Sequence, residues 1–336
     1  MKTQRLFSLF IISLFFVSAC NKHEEKDLVV SKIYTLQLND ITNTEAVLRL
    51  NCIMGREKVI ALGFKWKKMS DNNFKVATVS VNAGINTFLI KDLEEDTKYL
   101  VKAFMVVPSG DTVYDKNDVS FLTHSTMTDI DGNVYLTMRY GTKVWMTNNL
   151  RVTRYADGTP IEARGGSIGT SEEGPVYYYS TVHTTELRNP NFGLLYNWAA
   201  AVRADRGDSL YIFPKDTVIQ GICPNGWHIP ALNELDSITS RYKGSEMKTA
   251  NWGGGDASSS NNYSQFSAEP AGFINYDDSV DEVYSMVSEG AFFWTRDQHI
   301  LHKNIAYNYC LYSGVDYLSM RAMLKKAGYS IRCVKD

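Results

Sequence analysis

Cysteine is the residue type in this chain with the widest choice of covalent chemistry, and its five copies fall into two groups. Cys20 lies near the amino terminus, directly after three small or apolar residues. The other four are spread over the rest of the sequence, at Cys52, Cys223, Cys310 and Cys333. A thiol can accept a lipid or form a disulfide, and a thiolate can bind a metal or attack a substrate. Each group therefore needs its own interpretation.

The segment that ends at Cys20 is built like a secretion signal. Lys2 and Arg5 give it a positive start, and the apolar run over 6–17 is interrupted only by two serines. This run of about a dozen residues is too short to cross a hydrocarbon layer of ~30 Å. With its small residues before the cysteine, it resembles the bacterial lipoprotein signal. We therefore predict a signal peptide at 1–19 and lipidation of Cys20; the alternative is an ordinary signal peptide with an incidental cysteine.

Lipidation of Cys20 would place the protein on the outer membrane, facing either the cell surface or the periplasm. Residues 20–28 are polar and charged, which predicts a solvated tether. Within it, Glu24 and Glu25 resemble a short surface-export signal, although a plain linker explains them equally well. An exported protein meets an oxidising compartment, so a disulfide among the remaining cysteines is permitted. Four cysteines allow three full pairings, and their spacing leaves the choice open.

The charge balance excludes one large class of partners. The chain holds 35 Lys and Arg against 37 Asp and Glu, which gives a formal net charge of −2. No basic block or stripe is present, whereas proteins that bind nucleic acid carry one. The sequence therefore predicts no nucleic-acid partner.

Two patterns that could support catalysis or metal binding are incomplete. Ser167 lies within 165–169, which matches the letters of a nucleophile elbow. An elbow needs a strand before the serine and a helix after it, whereas here a Gly-rich loop runs on to Pro175. His299 and His302 have no cysteine or carboxylate beside them at metal-ligand spacing. The sequence predicts no catalytic residue, no metal and no cofactor.

An acidic stretch after residue 128 reads as a turn. Asp129 and Asp131 resemble the start of a calcium loop, but Gly132 falls in the wrong place for an EF-hand. Asp131-Gly132 is also a tight-turn signal. We expect it to join Tyr135 and 144–146 in a hairpin.

Residues 29–124 show the pattern of several short strands separated by turn residues, which predicts a β-sandwich. In one of these strands, Leu48, Leu50 and Cys52 alternate with the residues at 47, 49, 51 and 53. The segment 93–99, Leu-Glu-Glu-Asp-Thr-Lys-Tyr, is its most specific piece. It resembles the segment before the sixth strand of fibronectin type III domains, where a tyrosine corner holds the chain crossing. The resemblance implies that Tyr99 forms this corner and that Trp66 fills the core between the sheets. We expect this domain to act as a spacer.

Residues 124–128 are predicted to form a polar junction, after which strand alternation fades. Helix formers predict a helix over 194–202. A second helix is predicted from 232 onward, where apolar residues recur every three positions after Pro230. Residues 244–262 are rich in Gly and Ser and are predicted to be mostly loop.

A series of short blocks runs in order through residues 128–336. Beginning at 129, 143, 192, 221, 266, 272, 293 and 329, they read DIDGNVY, KVWMTNNL, FGLLYNW, GICPNGWHIP, FSA, GF, FWT and YSIRCV. Their order and number make this stretch similar to the Fibrobacter succinogenes major paralogous domain. The resemblance implies an α+β domain of the C-type-lectin-like fold. With the preceding sandwich, we expect a mostly β protein of two domains, exported or exposed on the cell surface.

The same resemblance implies a disulfide between Cys223 and Cys333. This bridge would close a loop of about 110 residues and contribute up to ~4–5 kcal/mol in the chain-entropy model. Cys52 and Cys310 are then expected to be free and at least partly buried, where cysteine behaves as a small apolar residue.

This sequence lacks the functional motifs of two groups of proteins with related folds. The tripeptide 269–271, Glu-Pro-Ala, lacks the Asn or Asp that the calcium tripeptide of sugar-binding C-type lectins carries, and Trp294 lacks the companion Asn-Asp. Formylglycine-generating enzymes share the fold and hold copper with two closely spaced cysteines. Here Cys310 and Cys333 are 23 residues apart, and the resemblance assigns Cys333 to the disulfide. We therefore expect neither calcium-dependent sugar binding nor enzymatic activity.

These observations predict a lipid-anchored envelope protein that serves in binding or adhesion to an extracellular glycan or protein. Such folds present variable loops from a rigid body. The candidates for stacking on sugar rings are Tyr177, Tyr178, Tyr179, Trp252 and Tyr263, with a core or turn role as the alternative for each. A competing hypothesis is a structural or assembly component of the envelope without a small ligand, and an enzyme related to formylglycine-generating enzymes is a second alternative. A solvent-facing row of aromatic side chains would favour binding, and burial would favour the structural role.

Overall fold

The computed structural model describes residues 30–38, 40–164, 174–179, 189–205, 213–214, 217–250, 252, 260–275 and 283–336. Cys20, with the predicted signal peptide and tether, and Ser167 lie outside these ranges. Strands take up 43% and helices 8%, so the protein is mostly β. Among the described residues, no helix is long and apolar enough to span a membrane.

The first part of the chain forms two antiparallel sheets. Its strands are β1 (Lys32–Leu36), β2 (Ala46–Ile53), β3 (Ala61–Lys68), β4 (Lys75–Val79), β5 (Gly84–Ile90), β6 (Lys98–Val106), β7 (Thr112–Tyr114) and β8 (Val119–Leu122). One sheet has the order β1-β2-β5, and the other has the order β4-β3-β6-β7, with β8 also paired to β6. Side chains at alternate positions of β2 (Leu48, Leu50 and Cys52) are buried between the sheets, as the alternating sequence predicted.

The core between these sheets is centred on Phe64 rather than on Trp66. Phe64 is fully buried, whereas Trp66 is half-buried at the edge of the same cluster, where its ring lies 6.0 Å from that of Phe88. Trp66 lies two residues beyond Phe64 on the same face of β3. Tyr99 forms the expected contact across the chain crossing, because its hydroxyl accepts a hydrogen bond from the Glu94 backbone N–H at 3.0 Å.

The second part of the chain carries thirteen further strands and three short helices within the described residues. They are β9 (Ser125–Thr128), β10 (Val134–Tyr140), β11 (Lys143–Met146), β12 (Glu162–Arg164), β13 (Val176–Tyr179), β14 (Leu194–Tyr196), α1 (Trp198–Val202), β15 (Trp227–His228), α2 (Asp236–Thr239), α3 (Gly244–Met247), β16 (Phe273–Asn275), β17 (Val283–Ser285), β18 (Gly290–Gln298), β19 (Ile305–Tyr312), β20 (Ser319–Leu324) and β21 (Val334–Lys335). Two 3₁₀ turns cover Pro190–Phe192 and Leu232–Leu235.

The largest sheet of this part has the order β15-β21-β11-β10-β9. Cys333, directly before β21, is disulfide-bonded to Cys223, which confirms the expected pair. Cys52 and Cys310 are free and buried, also as expected. Smaller sheets, β12-β13-β14, β16-β17 and β18-β19-β20, pack around a shared aromatic core. The resulting arrangement places the disulfide beside the centre of the largest sheet.

Arg332 stabilises the centre of this part. Its guanidinium is fully buried and donates to Asn149 Oδ1 at 2.9 Å, to the Ser267 carbonyl at 2.8 Å and to the Phe266 carbonyl. It also lies over the rings of Phe266 and Phe293. Burial lowers the pKa of Arg332 to about 9, which leaves the side chain charged at neutral pH. The last sequence block thus supplies both the disulfide and a buried cation that joins distant loops.

Two expectations for local structure are wrong. Residues 125–128 form strand β9 rather than only a junction, because their backbone groups pair with β10. The Asp131-Gly132 turn therefore joins β9 to β10, and not the two strands of the expected hairpin, which are β10 and β11. In the stretch 244–262, expected to be mostly loop, Gly244–Met247 forms helix α3.

The helix expected over 194–202 covers only its second half. Leu194–Tyr196 is strand β14, which pairs with β13, and Tyr196 also bonds to Tyr329. The helix begins after Asn197, whose side-chain oxygen accepts the Ala200 N–H at 2.9 Å and so caps its first turn. The helix-forming composition of this stretch predicts neither the N-cap at Asn197 nor strand β14 before it.

The two parts of the chain are in contact. Leu122, at the end of β8, packs against a hydrophobic cluster of the second part. The buried ring of His124 contacts Gln265, with 2.8 Å between Nε2 and Oε1. Asp96 and Arg139 form an exposed ion pair at 3.3 Å. The junction is therefore a packed interface as well as a connection.

Candidate functional site

A highly charged cavity lies at one end of the largest sheet of the second part. This charged cleft has a volume of about 490 Å³. Its charged lining residues are Lys143, His228, Glu234, Arg296 and Asp336. They come from β11, β15, the 3₁₀ turn at 232–235, β18 and the residue that follows β21. Five separate elements therefore hold the charges in place.

Glu234 is the centre of the cluster. Its carboxylate accepts hydrogen bonds from the Ala231 N–H at 2.9 Å, from His228 Nε2 at 3.0 Å and from Lys143 Nζ at 2.6 Å. The bond from Ala231 also satisfies a backbone donor at the start of the 3₁₀ turn. Partial burial opposes ionisation, but the bonds from His228 and Lys143 outweigh it and lower the pKa of Glu234 to about 2. The carboxylate is therefore ionised at any physiological pH.

His228 is held between two carboxylates. Its Nε2 faces Glu234, and its Nδ1 lies 2.7 Å from Asp336 Oδ1. Partial burial disfavours its charged form, but the hydrogen bonds to Glu234 and Asp336 raise the pKa of His228 above 6.5. Both ring nitrogens are engaged, so neither is available as a general base. The ring works as a cationic bridge between β15, the 3₁₀ turn and Asp336.

The remaining groups of the cleft suit binding better than catalysis. The hydroxyl of Ser237 donates to the Glu234 carbonyl at 2.8 Å and accepts from Trp145 Nε1 at 3.2 Å, so it is not poised as a nucleophile. Arg296 is buried and lines both this cleft and a neighbouring cavity of about 300 Å³ beside Tyr307. The cleft therefore offers fixed charges and hydrogen-bonding groups to a polar ligand.

The aromatic residues expected to stack on sugars do not form a common exposed surface among those that can be described. Tyr177 and Trp252 are buried, and Trp252 Nε1 donates to the Ala268 carbonyl at 3.0 Å. Tyr263 is 43% exposed, and its ring lies 6.1 Å from that of Tyr242. Tyr178 and Tyr179 belong to β13, but their side chains lie outside the described set. In this structure, Tyr177 and Trp252 act as core residues.

The acidic stretch after residue 128 forms a turn, as expected. Asp129 accepts the backbone N–H groups of Asp131 and Asn133, each at 2.9 Å, and the Tyr135 hydroxyl at 2.6 Å. Asp131 accepts the Thr153 N–H at 2.6 Å. Their carboxylates thus satisfy donors of the protein itself. Within the ranges that the structure covers, no group of three or more His, Cys, Asp or Glu could hold a metal ion.

The charged cleft was not found from the sequence. His228 lies in the block that begins at 221, but Lys143, Glu234 and Asp336 are far from one another along the chain. A local signal was present at Glu234, because a glutamate three residues into a helical turn can bond back to the residue before it. His302 is exposed and His299 is half-buried, and the N–H of His302 donates to His299 Nδ1 at 3.2 Å.

The family of the chain follows from comparison with known sequences. The sequence profile of the Fibrobacter succinogenes major domain matches residues 138–335, which is more than half of the chain. The chain belongs to this family. No curated protein matches the sequence.

Three solved structures are each similar to a part of this Fibrobacter succinogenes major domain protein. A myokine is 22% identical over 26% of this chain and 90% of its own, with a TM-score of 0.23. A sensor domain of the anti-sigma factor RsgI4 of Pseudobacteroides cellulosolvens is 21% identical over 30% and 99%, with a TM-score of 0.24. The third fibronectin III domain of human KIAA0343 protein is 16% identical over 32% and 91%, with a TM-score of 0.21. Likenesses at these TM-scores carry no conclusion about function.

Several residues in the matched blocks of the Fibrobacter succinogenes major domain make the contacts that hold its structure together. The block that begins at 221 supplies Cys223 and His228, and the block that begins at 329 supplies Arg332 and Cys333. Because these residues form the disulfide, the buried cation site and one wall of the charged cleft, the matched blocks build the frame that holds the cleft.

Proposed function

We propose that this protein is a lipid-anchored component of the cell envelope whose Fibrobacter succinogenes major domain binds an extracellular glycan or protein in the charged cleft. The observation that carries the proposal is the cleft itself, a cavity of about 490 Å³ with charged groups fixed by mutual ion pairs. Groups that are already held in place lose little entropy when a ligand binds. The cleft thus combines concavity with polar groups that can orient a ligand.

The first part of the chain is proposed to be a fibronectin type III-like spacer. The support is its pair of antiparallel sheets, of three and five strands, and the hydrogen bond between Tyr99 and Glu94 at the chain crossing. The second part is proposed to have the C-type-lectin-like arrangement. The support is its family membership and the disulfide that joins Cys223 to Cys333.

The lipid anchor is proposed at Cys20 on the strength of the signal-like segment before it. Metabolic labelling with a palmitate analogue should mark the wild-type protein and leave Cys20→Ala unlabelled. The matched control is Cys52→Ala, which removes a buried thiol and should keep the label. Equal labelling of Cys20→Ala and wild type would exclude lipidation at this residue.

Binding in the cleft is tested with a glycan array and with a pull-down from envelope extract, using the same protein in both. Asn233 is exposed at the cleft and lies outside its ion-pair cluster. Asn233→Ala should weaken any interaction found with the wild type, whereas Asn72→Ala in the sandwich should not. A ligand that binds both variants as well as the wild type would place the site elsewhere.

The second candidate is a structural or assembly role without a small ligand, and the burial of Tyr177 and Trp252 favours it. Under this role, the pull-down recovers envelope proteins while the glycan array stays negative. We expect no enzymatic activity under either role, because both ring nitrogens of His228 and the hydroxyl of Ser237 are already engaged.

A further inference from the structure

A cavity that shares no lining residue with the charged cleft lies on one face of the β18-β19-β20 sheet. We call it the aromatic cavity; its volume is about 340 Å³. Directly paired residues of neighbouring strands point to the same face of a sheet. The pairs Phe292 with Cys310 and Asn308 with Arg321 therefore share this face. The cavity is a feature of the sheet itself and not of a single loop.

The walls of the aromatic cavity are mostly apolar. The ring of Phe292 lies 4.6 Å from that of Phe273, 5.5 Å from that of Tyr312 and 5.7 Å from that of Tyr329. Two methionines, Met286 and Met323, complete the apolar part of the lining. Methionine is flexible and polarisable, so it adapts to the shape of a bound ring. Cavities of this size and composition are typical of sites for small molecules.

One polar group in the aromatic cavity lacks a partner. Asn308 is fully buried; its amide nitrogen donates to the Arg321 carbonyl at 3.4 Å, but its Oδ1 accepts no hydrogen bond. Buried polar atoms in folded proteins are nearly always paired, because an unpaired one destabilises the fold. Oδ1 has almost no accessible surface, so a molecule bound in the cavity can donate to it only after the Asn308 side chain turns toward the cavity.

Arg321 is the one charged residue among the described residues that line the aromatic cavity. Arg321 is exposed, lines the cavity and has its guanidinium 6.0 Å from the ring of Tyr312. The described lining contains no Asp or Glu that would neutralise it. An apolar ligand with an anionic group can thus place its body against the rings and its charge toward Arg321.

We propose that the aromatic cavity binds a small planar carboxylate whose ring carries an N–H or O–H donor. The ring packs among Phe292, Tyr329 and the methionines, and its donor bonds to Asn308 Oδ1. Its carboxylate pairs with Arg321. This site is independent of the charged cleft and of the function proposed for it.

The test is calorimetric titration of the full chain with three probes. Indole-3-propionic acid has a ring, a donor and a carboxylate; 3-phenylpropionic acid lacks the donor, and indole-3-propanamide lacks the charge. The indole acid should bind about tenfold more tightly than either of the others, which corresponds to one hydrogen bond or ion pair. Equal binding of the two acids, as expected if water satisfies Asn308, would overturn the proposal, and so would the absence of binding by all three probes.

Two variants test which residue causes the preference for indole over phenyl and which causes the preference for the acid over the amide. Asn308→Leu should abolish the preference for indole over phenyl without lowering the melting temperature, because it removes an unpaired polar atom. Arg321→Gln should abolish the preference for the acid over the amide, whereas the control Lys32→Gln, which removes a distant charge, should change neither. If Asn308→Leu retains the indole preference, or unfolds the protein, Asn308 serves the fold and the proposal is wrong.

Discussion

His228 and His124 respond to pH in opposite directions because their surroundings differ. His228 lies between two carboxylates, and its pKa is raised above 6.5. The folded state therefore keeps this proton to higher pH than the unfolded state. The stabilisation is complete below about pH 6.5 and is lost as the pH rises through the folded pKa.

The prediction for His228 concerns how the melting temperature changes as the pH rises above about 6. The melting temperature of the wild type should fall between about pH 6 and about pH 9, and that of His228→Gln should fall less over this range. Glu234 stays ionised over this range, so the difference between the two curves reports on His228. Parallel curves for the two proteins would show that the cluster does not hold the ring in its charged form.

The prediction for His124 concerns the stability that is lost as the pH falls below about 7. His124 is buried at the interface between the two parts of the chain, where burial lowers its pKa to about 4, although a hydrogen bond with Gln265 opposes this shift. Its stabilising contribution is present above pH 6.5 and is lost as the pH falls toward 4. Urea unfolding should therefore show a smaller loss of stability between about pH 7 and about pH 5 for His124→Gln than for the wild type. Identical losses would contradict a buried neutral ring.

Arg332 is the charged side chain whose removal should cost most. Arg332→Met leaves the carbonyls of Phe266 and Ser267 and the amide oxygen of Asn149 without their donor. We expect a loss of about 3 kcal/mol or more in the free energy of unfolding, measured with denaturant. The matched control Arg139→Met removes only an exposed ion pair and should change stability by less than about 1 kcal/mol. Similar effects of the two variants would rule out a central role for Arg332.

At the scale of elements, the disulfide joins two segments of the second part that are 110 residues apart. Cys223→Ser should destabilise that part by ~2–5 kcal/mol, the usual effect of losing a native bridge. The first part should unfold as before. Non-reducing peptide mapping of the wild type should recover Cys223 linked to Cys333. A peptide that links Cys310 to either of them would contradict the pairing.

Elements with a local signature could be predicted from the sequence, and those that depend on distant partners could not. Alternation in β2 identified its buried face, because a half-buried strand repeats every two residues. The stretch 194–196 contains helix formers, yet it is a strand because β13 pairs with it. The charged cleft forms because the largest sheet brings Lys143, His228 and Asp336 close together. Their spacing along the sequence does not indicate this proximity.

For the whole molecule, the prediction concerns how independent its two parts are. Each has its own hydrophobic core, but Leu122 and the contact between His124 and Gln265 cross the interface. Fragments 30–124 and 125–336 should each melt cooperatively, and at lower temperature than in the intact chain. A second fragment that stays unfolded until the first is added would show that the two parts share one core.

Because β9 pairs with β10, a second fragment tests how much β9 contributes to the second part. A fragment that begins at 129 lacks β9 and leaves one side of β10 unpaired. Its melting temperature should lie below that of fragment 125–336, since it loses a row of backbone hydrogen bonds. Equal melting temperatures for these two fragments would mean that β9 contributes nothing to the second part.

The place of β21 inside the largest sheet has a consequence for the speed of folding. β21 lies between β15 and β11, and 187 residues separate Met146 from Cys333. The sheet therefore cannot close until a late segment of the chain has entered it, and such long-range pairing is slow. Until then, β11 and β15 each present an unpaired edge, and exposed edges are where chains associate with one another. During folding, this protein should thus pass through a period in which contact between two copies of the chain leads to association.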